Sequence, residues 1–139
     1  MKIKILPADK YFSLCARERA DNTCERCGKV YPEGRGLQAC HFESRGNWAV
    51  RFEPLNIFCC CYGCHQQLDG SPITFTEFYI EKRGQVAYDV LVEKTRDLML
   101  GKENRRHKAE IAEWYKEVYS QMLMQRSMGV TGWLEFVGY

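Results

Sequence analysis

Cys61-Tyr62-Gly63-Cys64-His65-Gln66-Gln67-Leu68-Asp69 is the stretch on which the reading of this chain turns. It holds two thiols at knuckle spacing, an imidazole directly after them, and a carboxylate four residues further on. Upstream, Cys24-Glu25-Arg26-Cys27 repeats the thiol spacing and is followed by Gly28, which tolerates the positive φ of a tight metal-binding turn. The two pairs are separated by residues 28–60, 33 in all. Zinc takes four tetrahedral thiolate or imidazole ligands, and two such turns supply them. Four protein ligands leave no position for water, so a site of this kind is structural. Cys24, Cys27, Cys61 and Cys64 are therefore expected to hold Zn2+. Cys59 and Cys60 crowd the second knuckle, but only Cys61 has the right spacing to Cys64. Four unligated buried cysteines are the plainer reading. A redox pair is the third, and it lacks the βαβ context such pairs occupy.

Working outward, 139 residues suit one domain, and the hydrophobic content of 45% with 27% charged residues suits a globular one. The N-terminus (Met-Lys-Ile-Lys-Ile-Leu-Pro) has no apolar run of signal-peptide length, and no stretch approaches the ~20 apolar residues of a membrane span. A cytoplasmic location is expected, where thiols stay reduced, so eight cysteines point to metal rather than disulfides. Cys15, Cys40, Cys59 and Cys60 read as buried small hydrophobes. Net charge is only +2, so no whole-protein field announces nucleic acid. The charge is uneven: residues 102–108 carry four basic side chains against one acid. That run reads as a solvated surface.

Residues 1–6 suit an edge strand or an ordered arm. A helix should open at Pro7-Ala8-Asp9 and end near Ala20, before the turn-forming Asp21-Asn22-Thr23. Leu37 to Phe42 reads as a strand carrying His41. Trp48 to Phe52 reads as its partner, left at Pro54, which cannot continue a central ladder. Ile57 to Cys60 is an apolar run into the second knuckle, and a short helix should follow from Cys64 to about Leu68. Beyond it, helices are expected over Phe75–Arg83 (capped by Ser71 or Thr74 and stopped by Gly84), Gln85 to about Leu100 (ended by Gly101), and Glu103–Met124. Val86, Val90, Leu91, Leu98 and Met99 should face a packing surface in the second of these. The aromatic tail from Gly129 to Tyr139 should dock on the body or on another subunit.

A His-bearing hairpin followed by a helix with a His in its first turn makes a ββα arrangement around one point. His65 and Asp69, at i and i+4, would share a helical face and could hold a divalent ion with open positions. His41, neutral near pH 7, could take a proton from water. Base plus ion is the minimal equipment for phosphodiester hydrolysis. Arg45 and Arg51 could contact phosphate, or pair with Glu43 or Glu53.

These residues carry a resemblance. Cys24-x-x-Cys27, Cys40-His41, Asn56 and Cys61-x-x-Cys64-His65 resemble the zinc-containing HNH (His-Me finger) nucleases. The run Ala39-Cys40-His41-Phe42, Arg51-Phe52, Asn56-Ile57, Cys61-x-x-Cys64 and Gly70 is similar to the phage NinG/Rap recombination nucleases. The likeness covers residues 8–125 and is strongest over 24–70. It implies metal-dependent cleavage of DNA, including branched intermediates such as Holliday junctions or D-loops, in a bacterial host cell. By resemblance His41 is the general base, His65 a metal ligand, and Asn56 the cross-link that holds the hairpin loop. The reactive ion would be Mg2+ or Mn2+. Many HNH enzymes carry Asp or His before the base, where this chain has Cys40, a poor partner for Mg2+. A softer ion such as Mn2+ or Zn2+ is the alternative.

The expected fold class is therefore α+β. A ββα-metal core with a two-knuckle, four-cysteine zinc site (24–72) would lie between an N-terminal arm and helix (1–23) and a helical extension with an apolar tail (73–139), within one compact domain. DNA is the expected partner, no membrane is expected, and a junction substrate would favour a homodimer because two strands must be cut. The rival function is a non-catalytic zinc module that binds DNA or a recombination protein.

Overall fold

Two antiparallel strands sit between helices on either side in the computed structural model, which describes residues 2–139. Helix α1 (Pro7–Arg19) starts where proline can occupy the first turn and where the Asp9 carboxylate accepts the Leu6 amide at 2.8 Å. It stops where Asp21 and Asn22 take positive φ, as those residue types allow. Residues 2–6 form no strand and lead into α1 without regular structure; Met1 lies outside the described residues.

Strand β1 (Leu37–His41) pairs with β2 (Ile57–Cys61), Leu37 opposite Cys61 and His41 opposite Ile57. The predicted partner Trp48–Phe52 is not a strand. It winds through successive turns, with Val50 N donating to Asn47 O and Glu53 N to Val50 O. The apolar run 57–61 takes its place because it is buried on both faces. Ile57 joins Phe12, Ile111, Tyr115, Met122 and Phe136 on one side. Phe58 joins Phe75, Phe78, Tyr79 and Leu91 on the other. A strand covered on both faces shows no alternation, so its sequence reads as a featureless hydrophobic run.

Helix α2 (Tyr62–Asp69) leaves β2 without a linker. Helix α3 (Pro72–Arg83) is capped by Ser71 Oγ, which accepts the Thr74 amide, and ends at Gly84 with φ +92°. The expected helix from Gln85 to Leu100 is two helices, α4 (Gln85–Thr95) and α5 (Leu98–Arg106). Asp97 divides them by capping the second through Leu100 N at 2.9 Å. Gly101, expected as a stop, lies inside α5 against the Ala49 backbone. The stripe expected on this segment is mostly outward: Leu91 is buried, while Val86 and Leu98 are nearly four-fifths exposed (78% and 79%). Helix α6 (Lys108–Ser127) starts after His107 and packs along α1, tied by Arg126 to Glu18 at 2.9 Å. The tail docks on the body: Phe136 is buried, Leu134 N donates to Arg19 O, and Trp114 Nε1 donates to Val137 O.

Arg51 corrects a further expectation. It is buried rather than facing a DNA backbone, with Nε and Nη2 both on the Asp9 carboxylate (3.0 and 2.7 Å) and Nη2 also on Lys4 O. The guanidinium is spent on joining α1, the arm and the 42–56 loop. Breaking a buried pair strands the remaining charge, which costs about 3–5 kcal/mol. Arg51→Ala should therefore lower stability in urea unfolding by that order, and a midpoint equal to wild type would contradict the structural role given to this pair.

Candidate functional site

The two knuckles meet. The Sγ atoms of Cys24, Cys27, Cys61 and Cys64 lie within 4.8 Å of one another. Local chemistry builds this cluster. Gly28, at φ +78°, closes the first turn, and Thr23 bridges to Val30 across it. Glu25 then fastens the turn to β2: its amide donates to Cys59 O, and its carboxylate accepts Cys59 N at 2.7 Å. Arg83 of α3 pairs with the same carboxylate at 2.8 Å. Cys24 Sγ accepts the amides of Cys27 (3.5 Å) and Cys61 (3.3 Å). Burial works against the Cys24 thiolate, but the amides of Cys27, Cys61 and Arg26 outweigh it and lower its pKa. The Cys64 amide at the α2 N-terminus holds Cys61 at about 6, whereas burial and the neighbouring thiols push Cys64 up to about 12. Thiolates this close repel one another, so without a cation the cluster keeps protons. Four soft donors of this kind fit zinc, and the cluster could hold one.

Asn56 is wholly buried and cross-links the loop between the strands. Its Nδ2 donates to Glu43 O and Val50 O, both at 3.0 Å, and its Oδ1 accepts Glu43 N at 2.7 Å. Its own carbonyl accepts the Phe42 amide. The loop so held presents Arg51 O to His41 Nε2 at 3.1 Å. A carbonyl only accepts, so Nε2 carries the proton and Nδ1 keeps its lone pair. Burial pushes the His41 imidazole down to about 4, with the Arg45 guanidinium adding to the fall, so the ring is neutral at pH 7.

His65 stands in the first turns of α2 and faces β1. Its Nδ1 donates to Gln38 Oε1 at 2.7 Å, and its Nε2 meets Asp69 Oδ2 at 3.0 Å. Cys40 Sγ completes a second group, since one ligand atom each from Cys40, His65 and Asp69 lie within 4.8 Å of one another. Gln38 and Cys40 are i and i+2 on β1, so they share the strand face turned to α2. Hydrogen bonding from Cys60, with a smaller contribution from His65, brings the buried Cys40 thiol down to about 7. Contact with the Cys40 sulfur in turn raises the His65 pKa. This donor set is not the oxygen-rich octahedral set that Mg2+ takes.

His41 and His65 line one cavity of about 400 Å³ at the edge of β1, with Arg45 on its rim. Lys10 and Arg17 of α1 line it too, one helical face seven residues apart. None of these three cations pairs with a carboxylate among the described residues. Sequence reasoning missed Lys10 and Arg17, and it marked Cys40 as a poor partner for Mg2+ without counting its sulfur in the donor set. Helical spacing gave a signal for the first two, and strand alternation gave one for Cys40. The basic run at 102–108 is not part of this cavity. A larger cavity of about 710 Å³ lies between the first knuckle, Arg83 and Trp133, away from both histidines.

Compared with known families, the chain matches the model described as the bacteriophage lambda NinG protein over residues 7–122. No curated protein and no solved structure matches it.

Proposed function

The chain belongs to the bacteriophage lambda NinG protein family, and on that premise we propose that it is a metal-dependent DNA endonuclease of the HNH type. Family membership suggests a recombination-related role in a phage, and branched DNA such as a Holliday junction is the proposed substrate. The observation that carries the reading is the His41 tautomer. Its Nε2–H is committed to Arg51 O, and its free Nδ1 belongs to a ring that shares a cavity with His65 and with cations that pair with no carboxylate among the described residues.

His41 Nδ1 takes a proton from water, and the hydroxide attacks phosphorus. The bond from phosphorus to the 3′ oxygen breaks, and that oxygen takes a proton from a second water as it leaves. A phosphate in the cavity raises the depressed His41 pKa back towards its working range. Lys10, Arg17 and Arg45 hold the flanking backbone without reading sequence. A divalent ion beside His65 supplies charge neutralisation at the phosphate when bound. Asn56 positions the base through the loop it closes. Two strands of a junction must be cut, so two copies act together.

The test is cleavage of a fixed four-way junction beside linear duplex, with divalent metal added. Metal-dependent cutting of the junction is expected. A gel shift with no cutting under any metal would replace the nuclease reading with that of a DNA-binding zinc module. In the same assay, Lys10→Ala with Arg17→Ala should weaken binding to junction and duplex alike and reduce the salt-dependence slope by about 2.

A further inference from the structure

We infer that Cys40, His65 and Asp69 form a second metal site, selective for a zinc-class transition ion over Mg2+ and Mn2+, with one coordination position left for an outside ligand. The inference deepens the nuclease reading; it rests on that reading for the role of the ion but not for its binding.

Three observations carry it. The first is composition: a thiolate, an imidazole and a single carboxylate form a soft-to-borderline set. Mg2+ and Mn2+ take oxygen-rich shells, whereas thiolate and imidazole donors suit zinc and its later neighbours. The second is spacing. Donors around tetrahedral zinc are about 3.5 Å apart, given Zn–S and Zn–N bonds of about 2.3 and 2.1 Å. His65 Nε2 and Asp69 Oδ2 are already at 3.0 Å, and one ligand atom each from Cys40, His65 and Asp69 fall within 4.8 Å of one another. Small side-chain movements therefore close the set. The third is the support behind the imidazole. His65 Nδ1 donates to Gln38 Oε1 at 2.7 Å, which fixes the ring with Nε2 turned to Asp69. A metal-bound histidine is oriented in this way by a partner on its other nitrogen. Three protein ligands are the number that reactive zinc sites use, in contrast to the closed set of four cysteines nearby.

The full chain, equilibrated with Zn2+ and dialysed, should contain two zinc ions per chain by elemental analysis. Cys40→Ala and, separately, the surface variant Asp69→Asn should each contain one, with wild-type circular dichroism. In the Co2+-loaded chain, thiolate-to-metal charge-transfer absorption should fall by about one part in five in Cys40→Ala, one sulfur ligand being lost from five. Excess Mg2+ should leave the second cobalt ion in place. One metal per chain in wild type would overturn the proposal. So would two in both variants, or displacement of the second cobalt by Mg2+. Two bound metals without cleavage of any DNA would end the nuclease reading and leave this site standing. Cleavage with a single bound metal would do the reverse.

Discussion

His41→Ala should slow DNA cleavage by about 10²–10⁴-fold, the range general-base removal costs, while secondary structure and zinc content stay at wild-type values. The separation of effects follows from placement. His41 sits at the end of β1, partly buried, and its one hydrogen bond is to Arg51 O. The loop that supplies this carbonyl is closed by Asn56 and pinned by Arg51 to Asp9, neither of which uses the imidazole. Alanine therefore removes the free Nδ1 without loosening its support. The measurement is single-turnover cutting of the junction substrate, with circular dichroism and zinc analysis on the same sample. Cutting at the wild-type rate would remove His41 from the chemistry.

The second large effect concerns the knuckles. Cys61→Ser with Cys64→Ser, or removal of metal by a strong chelator, should unfold the core. Structural zinc contributes about 10–16 kcal/mol in small zinc-dependent peptides, whereas a whole domain is stable by only about 5–15 kcal/mol. Even half of the zinc contribution rivals the whole. The hydrogen bonds around the cluster (Cys24 Sγ to the Cys61 amide, Glu25 to Cys59) hold the first turn against β2, yet they leave four thiols crowded together without a cation. Far-ultraviolet circular dichroism during chelation and zinc replenishment reads this directly. An unfolding midpoint unmoved by complete zinc removal would show the cluster to be incidental.

The knuckles, α1 and α3 were legible because each is written locally: a spacing, a proline with an aspartate, a serine with a glycine. The partner of β1 was not. Residues 57–61 are buried on both faces, and a strand of that kind leaves no period to read, while Trp48–Phe52 has the aromatic and β-branched content of a strand without adopting one. Arg51 failed for a related reason. A lone charged side chain, even among apolar neighbours, reads as surface until its carboxylate, 42 residues earlier in the chain, is seen beside it. His41 and His65 could be picked out from their places beside the knuckles and Asn56 from the resemblance, and the structure gives each a defined set of contacts. Cys40 stood by resemblance where a metal ligand is usual and read as a poor partner for Mg2+, and only tertiary structure puts its sulfur beside His65 and Asp69.

Helix α2 begins on the second knuckle and carries His65 one residue later. That adjacency has a bearing on how inhibitors are interpreted. Under the proposed function, a chelator that stopped DNA cleavage would do so by stripping an ion at His65 or by releasing the helix that carries His65, and end-point assays would score both alike. Order of recovery separates them. Cleavage that returned within the mixing time of added metal would report refilling of the site at His65, whereas a lag that followed the regain of helical signal would report rebuilding of the four-cysteine cluster from which α2 starts.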